Sequence, residues 1–197
     1  MTLLILGLVV FLGVHSVAIV APGWRDAQRA RLGEGAWKGG FTIASAVGLA
    51  LIVYGYGVAR QTPVVVYAPP VWGRHLAALL LVPVFPLLLA TYLPGRIKSA
   101  AKHPTLLATK FWALAHLFAN GTLADVLLFG GFLAWAVADR IAAGRRAVPR
   151  SLPGASPAPM NDVIAIVGGL ALYAVFVVWA HRWLVGVAPF PGLTVAG

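Results

Sequence analysis

The sequence predicts an all-α polytopic membrane protein, a bundle of about six transmembrane helices. Of its 197 residues, 60% are hydrophobic and only 10% are charged. The mean hydropathy of +0.89 is far above that of a typical soluble domain. Several apolar runs approach the roughly 20 residues that a helix needs to cross a bilayer. No linker divides the chain, so we expect one integral-membrane domain over residues 1–197.

Six apolar segments account for this fold. The first carries no charged residue, and the third contains Pro83 and Pro86, which predict a break in its helix. The fourth is short, and the Asn120-Gly121 pair that follows it predicts a turn. In order, the predicted spans are Thr2–Ala21, Gly39–Ala59, Leu76–Leu93, Thr105–Ala119, Leu123–Ile141 and Val163–Val187.

The basic residues are distributed unevenly among the loops that connect these spans. The formal net charge is +10, and of the 15 Lys and Arg residues only Arg60, Arg74 and Arg182 fall on the side of the even-numbered loops. The positive-inside rule then predicts that the odd loops are cytoplasmic and that both termini are periplasmic or otherwise external. No aromatic-interleaved basic patch suggests a nucleic-acid partner, and we expect the basic loops to meet anionic lipid headgroups.

Other residue types exclude several kinds of chemistry. The chain has no cysteine, which excludes disulfides, thiolate metal sites and c-type haem attachment. It has only five acidic residues, and no two of them form a carboxylate pair suited to acid–base catalysis. Four of them lie in loops or at the ends of spans, and only Asp125 lies plausibly within a span, near its start, where the helix dipole favours a carboxylate.

Histidines are the candidate ligands in the membrane. His15 and His116 lie well inside the first and fourth spans at similar predicted depths, where an unpaired imidazole is costly. Trp112 and Asn120 lie one helical turn before and after His116, which gives an aromatic wall and a polar group. From the residues alone, each buried histidine is either a cofactor ligand or a hydrogen-bonded packing residue, and both alternatives stay open. The other three histidines are His75, His103 and His181.

The pair His103-Pro104 predicts the start of the fourth helix. Proline suits the first helical turn, because the N–H that it lacks would be unpaired there anyway. His103 is then either a helix-start residue or, with Lys102 and the helix N-terminus, a contact for a phosphate, a headgroup or a cofactor carboxylate.

Four segments together resemble the NnrU family of bacterial membrane proteins. They are "GVHSVAI" (13–19), "KHPTLLATKFWALAHLFANG" (102–121), "LFGGFLAWAVADR" (128–140) and "HRWLVGVAPF" (181–190). The resemblance runs over nearly the whole chain and implies an association with denitrification, that is, with nitrite and nitric oxide metabolism. The plant zeta-carotene isomerase, a haem b membrane enzyme that isomerises a cis double bond, is a relative of this family.

The resemblance also implies a cofactor. The histidine ligands of the plant enzyme match His15 and His116, so we expect haem b with these two axial ligands and with Trp112 and Asn120 shaping the pocket. The expected contacts of the haem propionates are Arg96, Lys102 and His103. The plant enzyme has a cysteine where this chain has Ala113, so an exchange between cysteine and histidine ligands is excluded here.

Three functions follow as expectations. The leading one is a haem b protein with isomerase-like or redox chemistry on a small ligand such as nitric oxide or a carotenoid. The alternative is a non-enzymatic assembly or sensing factor for nitrite or nitric oxide reductases. A fainter similarity, limited to "KHP" at 102–104, is to isoprenylcysteine-type membrane methyltransferases. No catalytic residue is identified from the sequence.

Overall fold

The computed structural model describes residues 1–145 and 154–190. Within these ranges the regular structure is helical, and one isolated β-bridge joins Val65 to Thr122. The predicted all-α membrane class is therefore confirmed. The α-helices are α1 (Thr2–Val20), α2 (Pro22–Leu32), α3 (Glu34–Ala59), α4 (Gly73–Leu81), α5 (Val84–Tyr92), α6 (Arg96–Ala101), α7 (Pro104–Ala119), α8 (Leu123–Arg145), α9 (Met160–Val175) and α10 (His181–Val185), with a π-helical segment (Phe176–Ala180) between the last two.

Five helical segments of the described chain are long and apolar enough to cross a membrane. They are Thr2–Val20, Glu34–Ala59, Gly73–Tyr92, Leu123–Arg145 and Met160–Val185. The fourth predicted span corresponds to α7, which has 16 residues. At a rise of 1.5 Å per residue it is about 24 Å long, less than the ~30 Å hydrocarbon core. A sixth crossing therefore stays a prediction.

The predicted proline break in the third span is confirmed. Helix α4 ends at Leu81 and α5 begins at Val84. The Val82 N–H donates to the carbonyl of Leu79 at 3.3 Å. The Ala78 carbonyl therefore lacks the donor that it would have in a continuous α-helix. The hydroxyl of Tyr173 in α9 donates to that carbonyl at 2.9 Å. The side chain thus satisfies a backbone group that would otherwise be costly in an apolar medium.

Two helices, α2 and α6, lie where the sequence predicted loops. Helix α2 occupies most of the first predicted loop, and α3 begins at Glu34, before the predicted start at Gly39. Helix α2 begins with a proline in its first turn and has arginines in its last turn, both favourable positions. The short α6 was also missed. Both helices are short, and basic residues interrupt their apolar ones, so neither contains the long apolar run from which the spans were predicted.

The chain divides into two compact units, which are described separately below. The first consists of Met1–Pro69 and Ala119–Ala147, and the second of Pro70–Phe118 and Val148–Gly197. The single domain over residues 1–197 stays a prediction.

In the first unit, α1 packs antiparallel on α3 through glycines. A Cβ atom at Gly48 would lie 2.8 Å from the backbone nitrogen of Phe11, and one at Gly7 would lie 2.6 Å from that of Ile52. Gly55 meets the backbone of Leu4 in the same way. Small residues let two membrane helices approach until their backbones touch, which strengthens van der Waals packing. These contacts fix the register of α1 against α3.

A buried carboxylate, Asp125, stabilises the end of the first unit that lies away from His15. Asp125 is only 4% exposed and accepts from the N–H and hydroxyl of Thr122 at 2.9 and 2.6 Å. This arrangement confirms the predicted helix-start carboxylate and forms one half of a capping box. Asp125 also accepts from the Tyr56 hydroxyl of α3 at 2.5 Å, a bond that the sequence did not reveal.

The second unit is organised in a similar manner. Gly169 of α9 lies against the backbone of Pro86 in α5. Near the start of α9, the Asn161 side chain donates to the Pro94 carbonyl at 2.8 Å, and the Asp162 carboxylate accepts from the first N–H groups of α6 at 2.8 and 3.0 Å. Polar side chains at one helix start therefore complete the backbone hydrogen bonds of the preceding segments.

We predict that Gly48→Ala destabilises the protein, because the new methyl group would meet the backbone of α1 and force the two helices apart. Overpacking of this kind costs about 1–3 kcal/mol. Thermal denaturation in detergent measures the effect. Gly57→Ala on the same helix is the matched control, since a Cβ there meets nothing within 4 Å. Equal melting temperatures for the two variants would contradict the proposed close contact.

We predict that Tyr56→Phe also destabilises the protein, by about 1–2 kcal/mol, because it removes one donor from a buried carboxylate. Tyr54→Phe is the control, since Tyr54 lies on the same helix and is 66% exposed. The melting temperatures of both variants are compared with wild type. If the two substitutions have the same effect, the bond to Asp125 does not contribute to stability.

Candidate functional site

The imidazole of His15 has a defined tautomer. Its Nδ1 lies 2.7 Å from the carbonyl oxygen of Phe11, one turn earlier in α1. Because a carbonyl can only accept, Nδ1 carries the proton and Nε2 carries the lone pair. Within the described residues no protein group bonds to Nε2. His15 thus presents a ligating nitrogen whose orientation is fixed by its own helix.

Aromatic rings from three helices surround His15. Phe11 of α1 stacks on the imidazole with a centroid distance of 4.3 Å. Phe41 of α3 and Trp135 of α8 approach at 4.9 and 6.0 Å with edge-to-face geometry, and Phe132 of α8 lies 5.6 Å from Phe11. These walls make an apolar environment, which controls the dielectric and the access of solvent around a ligand site.

Two buried donors accompany His15. The indole nitrogen of Trp135 and the hydroxyl of Ser45 are buried, and neither has a hydrogen-bond partner in the described part of the chain. Trp135 is one of the rings around His15. Ser45 lies on the α3 stripe that faces α1, between Phe41, which touches His15, and Gly48, which touches Phe11. Unpaired polar groups of this kind are rare and need an explanation.

His116 repeats the arrangement of His15 in the second unit. Its Nδ1 lies 2.8 Å from the carbonyl oxygen of Trp112, one turn earlier in α7, so the lone pair is again on Nε2. The Trp112 ring lies 5.3 Å from the imidazole and packs against the buried cluster of Val84, Leu87 and Ala108. The structure therefore brings together Trp112 and His116, as the sequence predicted.

The remaining predicted site residues are placed as follows. Helix α7 starts at Pro104, as predicted, and the carbonyl of His103 accepts from Leu107 at 3.1 Å. Lys102 is exposed and has φ 60°, at the centre of a three-residue turn in which the His103 N–H reaches the Ala101 carbonyl. Arg96 begins α6, and its side chain is exposed.

Asn120 lies beyond the end of α7, in the chain segment that belongs to the first unit. Its carbonyl accepts from the Tyr67 hydroxyl at 2.7 Å. Burial, and then the negative charge of Asp125, raise the pKa of Tyr67, so this hydroxyl keeps its proton and stays a donor at neutral pH. The assignments of Asn120, Arg96, Lys102 and His103 to a cofactor site stay predictions.

Four residues near His15 were not predicted from the sequence: Phe11, Phe41, Ser45 and Trp135. Phe11 could have been found, because it precedes His15 by one helical turn. The other three come from α3 and α8, and only the helix register brings them to His15.

Haem b and a metal ion bound by protein ligands alone require different donor sets. Within the described residues no group of three or more His, Cys, Asp or Glu side chains could hold a metal ion. A porphyrin supplies four equatorial nitrogens of its own, so one or two imidazoles suffice as axial ligands. An oriented imidazole with aromatic walls, as at His15, satisfies that requirement.

Comparison with known proteins gives one family. The model of the family described as NnrU protein matches residues 3–189 of the chain. No curated protein and no solved structure matches. Because the family model covers almost all of the sequence, this chain belongs to the NnrU family.

Proposed function

We propose that the protein binds haem b with His15 and His116 as axial ligands. One observation carries the proposal: each imidazole donates from Nδ1 to the carbonyl one turn earlier, at 2.7 and 2.8 Å. Histidines that ligate metals usually donate their other ring N–H in this way, which fixes the tautomer and makes the ligating nitrogen more basic. The same hydrogen bond at both of the ligands predicted from the sequence supports a common role for His15 and His116.

Haem b supplies an iron that changes oxidation state and binds small ligands. The chain's own residues hold and shield it. The backbone of Phe11 orients His15, and the rings of Phe11, Phe41 and Trp135 exclude water from its neighbourhood. Lys102, His103 and Arg96 are the basic candidates for propionate contacts outside this aromatic group.

Membership of the NnrU family supports a role in nitrite and nitric oxide metabolism. Candidate ligands are nitric oxide and a carotenoid alkene, both apolar enough to enter a membrane pocket. An enzyme of this kind would turn over a substrate when purified alone. An assembly or sensing factor would instead copurify with a nitrite or nitric oxide reductase and show no turnover.

We predict that the purified protein shows a b-type absorption spectrum that depends on both histidines. His15→Ala and His116→Ala each lose an axial ligand, so haem content falls or the Soret band shifts. Spectra of the oxidised and dithionite-reduced protein and a pyridine haemochrome assay measure these changes. His75→Ala is the control, since His75 is exposed at the start of α4.

Added imidazole tests whether a lost band reflects ligation or misfolding. If each histidine is a ligand, free imidazole restores a six-coordinate spectrum in the corresponding alanine variant. A wild-type protein that stays colourless when haem is supplied would remove the haem proposal. The assembly-factor alternative would then be the leading hypothesis.

We also propose the bacterial inner membrane as the location, with cytoplasmic odd loops and periplasmic termini. The concentration of basic residues in the odd loops supports this orientation. It requires α7, together with the chain that flanks it, to cross the membrane.

Single cysteines test this topology directly, because the chain has none of its own. We predict that a cysteine replacing Gln61 reacts with a membrane-impermeant maleimide on intact cells. One replacing Gln28 should react only after lysis. Labelling of both positions from the same side would contradict the topology.

A further inference from the structure

We infer that the Trp135 indole and the Ser45 hydroxyl donate hydrogen bonds to a propionate carboxylate of the haem bound at His15. This inference rests on the proposed haem site. It assigns two residues of α8 and α3 that neither the sequence nor the family match connects with a cofactor.

The first step is the cost of the two unpaired donors. Both atoms are buried, and both lack a partner in the described part of the chain. A donor buried in an apolar environment without an acceptor costs free energy comparable to a lost hydrogen bond. Elsewhere in the first unit, polar side chains in the helix interfaces are well paired, as Tyr56 and Asp125 show. The exceptions therefore point to an acceptor that the described part of the chain does not supply.

The second step is the location of these donors. Trp135 stands edge-on to His15, with ring centroids 6.0 Å apart and planes at 90°. The α1–α3 register places Ser45 level with the same imidazole, because Gly48 meets Phe11 and Phe41 meets His15. Both donors therefore lie at the level of His15 within the first unit.

The third step is the chemistry of the group. The periphery of haem b carries methyl, vinyl and propionate substituents, and among these only the propionates contain oxygen acceptors. Trp Nε1 is a donor only, and a serine hydroxyl can donate. If haem is held by His15, a propionate is the only peripheral group that can pair with both side chains. Bonds from neutral donors to a carboxylate are charge-assisted and stronger than neutral ones.

The test compares protohaem with its dimethyl ester, in which both carboxylates are esterified and uncharged. Apoprotein of the full chain in detergent is titrated with each porphyrin, and the Soret band gives the dissociation constant. The variants are Trp135→Phe and Ser45→Ala. The matched controls are Trp183→Phe, which changes a 70% exposed tryptophan, and Ser99→Ala, which changes an exposed serine.

We expect each site variant to weaken the binding of protohaem on the order of 10-fold, the effect of one charge-assisted hydrogen bond. Binding of the dimethyl ester should weaken much less, and the controls should bind both porphyrins as wild type does. Wild-type affinity for protohaem in both site variants would overturn the inference while leaving the haem proposal intact. A wild-type chain that binds no haem would remove the proposed function and the inference with it.

The stability of the apoprotein gives a readout that needs no haem. Ser45→Ala removes one unpaired oxygen and introduces a better helix former. The melting temperature of the apoprotein should therefore stay the same or rise. A lower melting temperature would mean that the Ser45 hydroxyl already has a partner within the protein, which would overturn its assignment to a propionate.

Discussion

The close contact between α1 and α3 determines how the first unit is assembled. Gly7, Gly48 and Gly55 let the two backbones touch at three levels, and a larger residue at any of them would separate the helices. Between membrane helices there is little hydrophobic drive to associate, so this van der Waals contact has to hold the pair together. The same contact fixes the register. It is the register that brings Phe41 and Ser45 of α3 to the level of His15, while α8 adds Trp135 from the other side. The environment of the candidate ligand therefore follows from glycines that lie one to three helical turns away.

A second constraint is that backbone groups need partners wherever water is absent. The chain meets it with side chains at three places. Tyr173 supplies the donor that the Ala78 carbonyl loses at the proline break, Asp162 accepts from the start of α6, and Thr122 with Asp125 closes the start of α8. The polar residues of the sequence that invite a catalytic interpretation, Asp125 above all, are thus used to complete the fold.

Much of the fold could be predicted from the sequence, and less of the site. Hydropathy over 20-residue windows gave the long spans, Pro83 gave the break, and His103-Pro104 gave the start of α7, because each of these is a local property of the chain. Helices α2 and α6 were missed, since they are short and polar and lack the long apolar run that marks a span. The carbonyls that fix the tautomers of His15 and His116 lie one turn away on the same helix, but the side-chain rotamers that reach them are seen only in the structure. Phe41, Ser45 and Trp135 could not be predicted, because their proximity to His15 depends on inter-helix register, which the sequence of one helix does not contain.

Hydrogen-bond satisfaction offers a way to separate structural from functional polar residues in this protein. Asp125 has three donors from the protein and contributes stability whether or not a ligand is present. His15 has its Nδ1 satisfied by its own helix, while its Nε2 lone pair and the neighbouring Trp135 and Ser45 donors have no partner in the described chain. Evolution toward stability alone would replace such groups by apolar side chains, because each unpaired group in an apolar medium costs free energy. Their concentration at one level of α1, α3 and α8 is the feature from which we propose a cofactor that supplies both a metal and an acceptor.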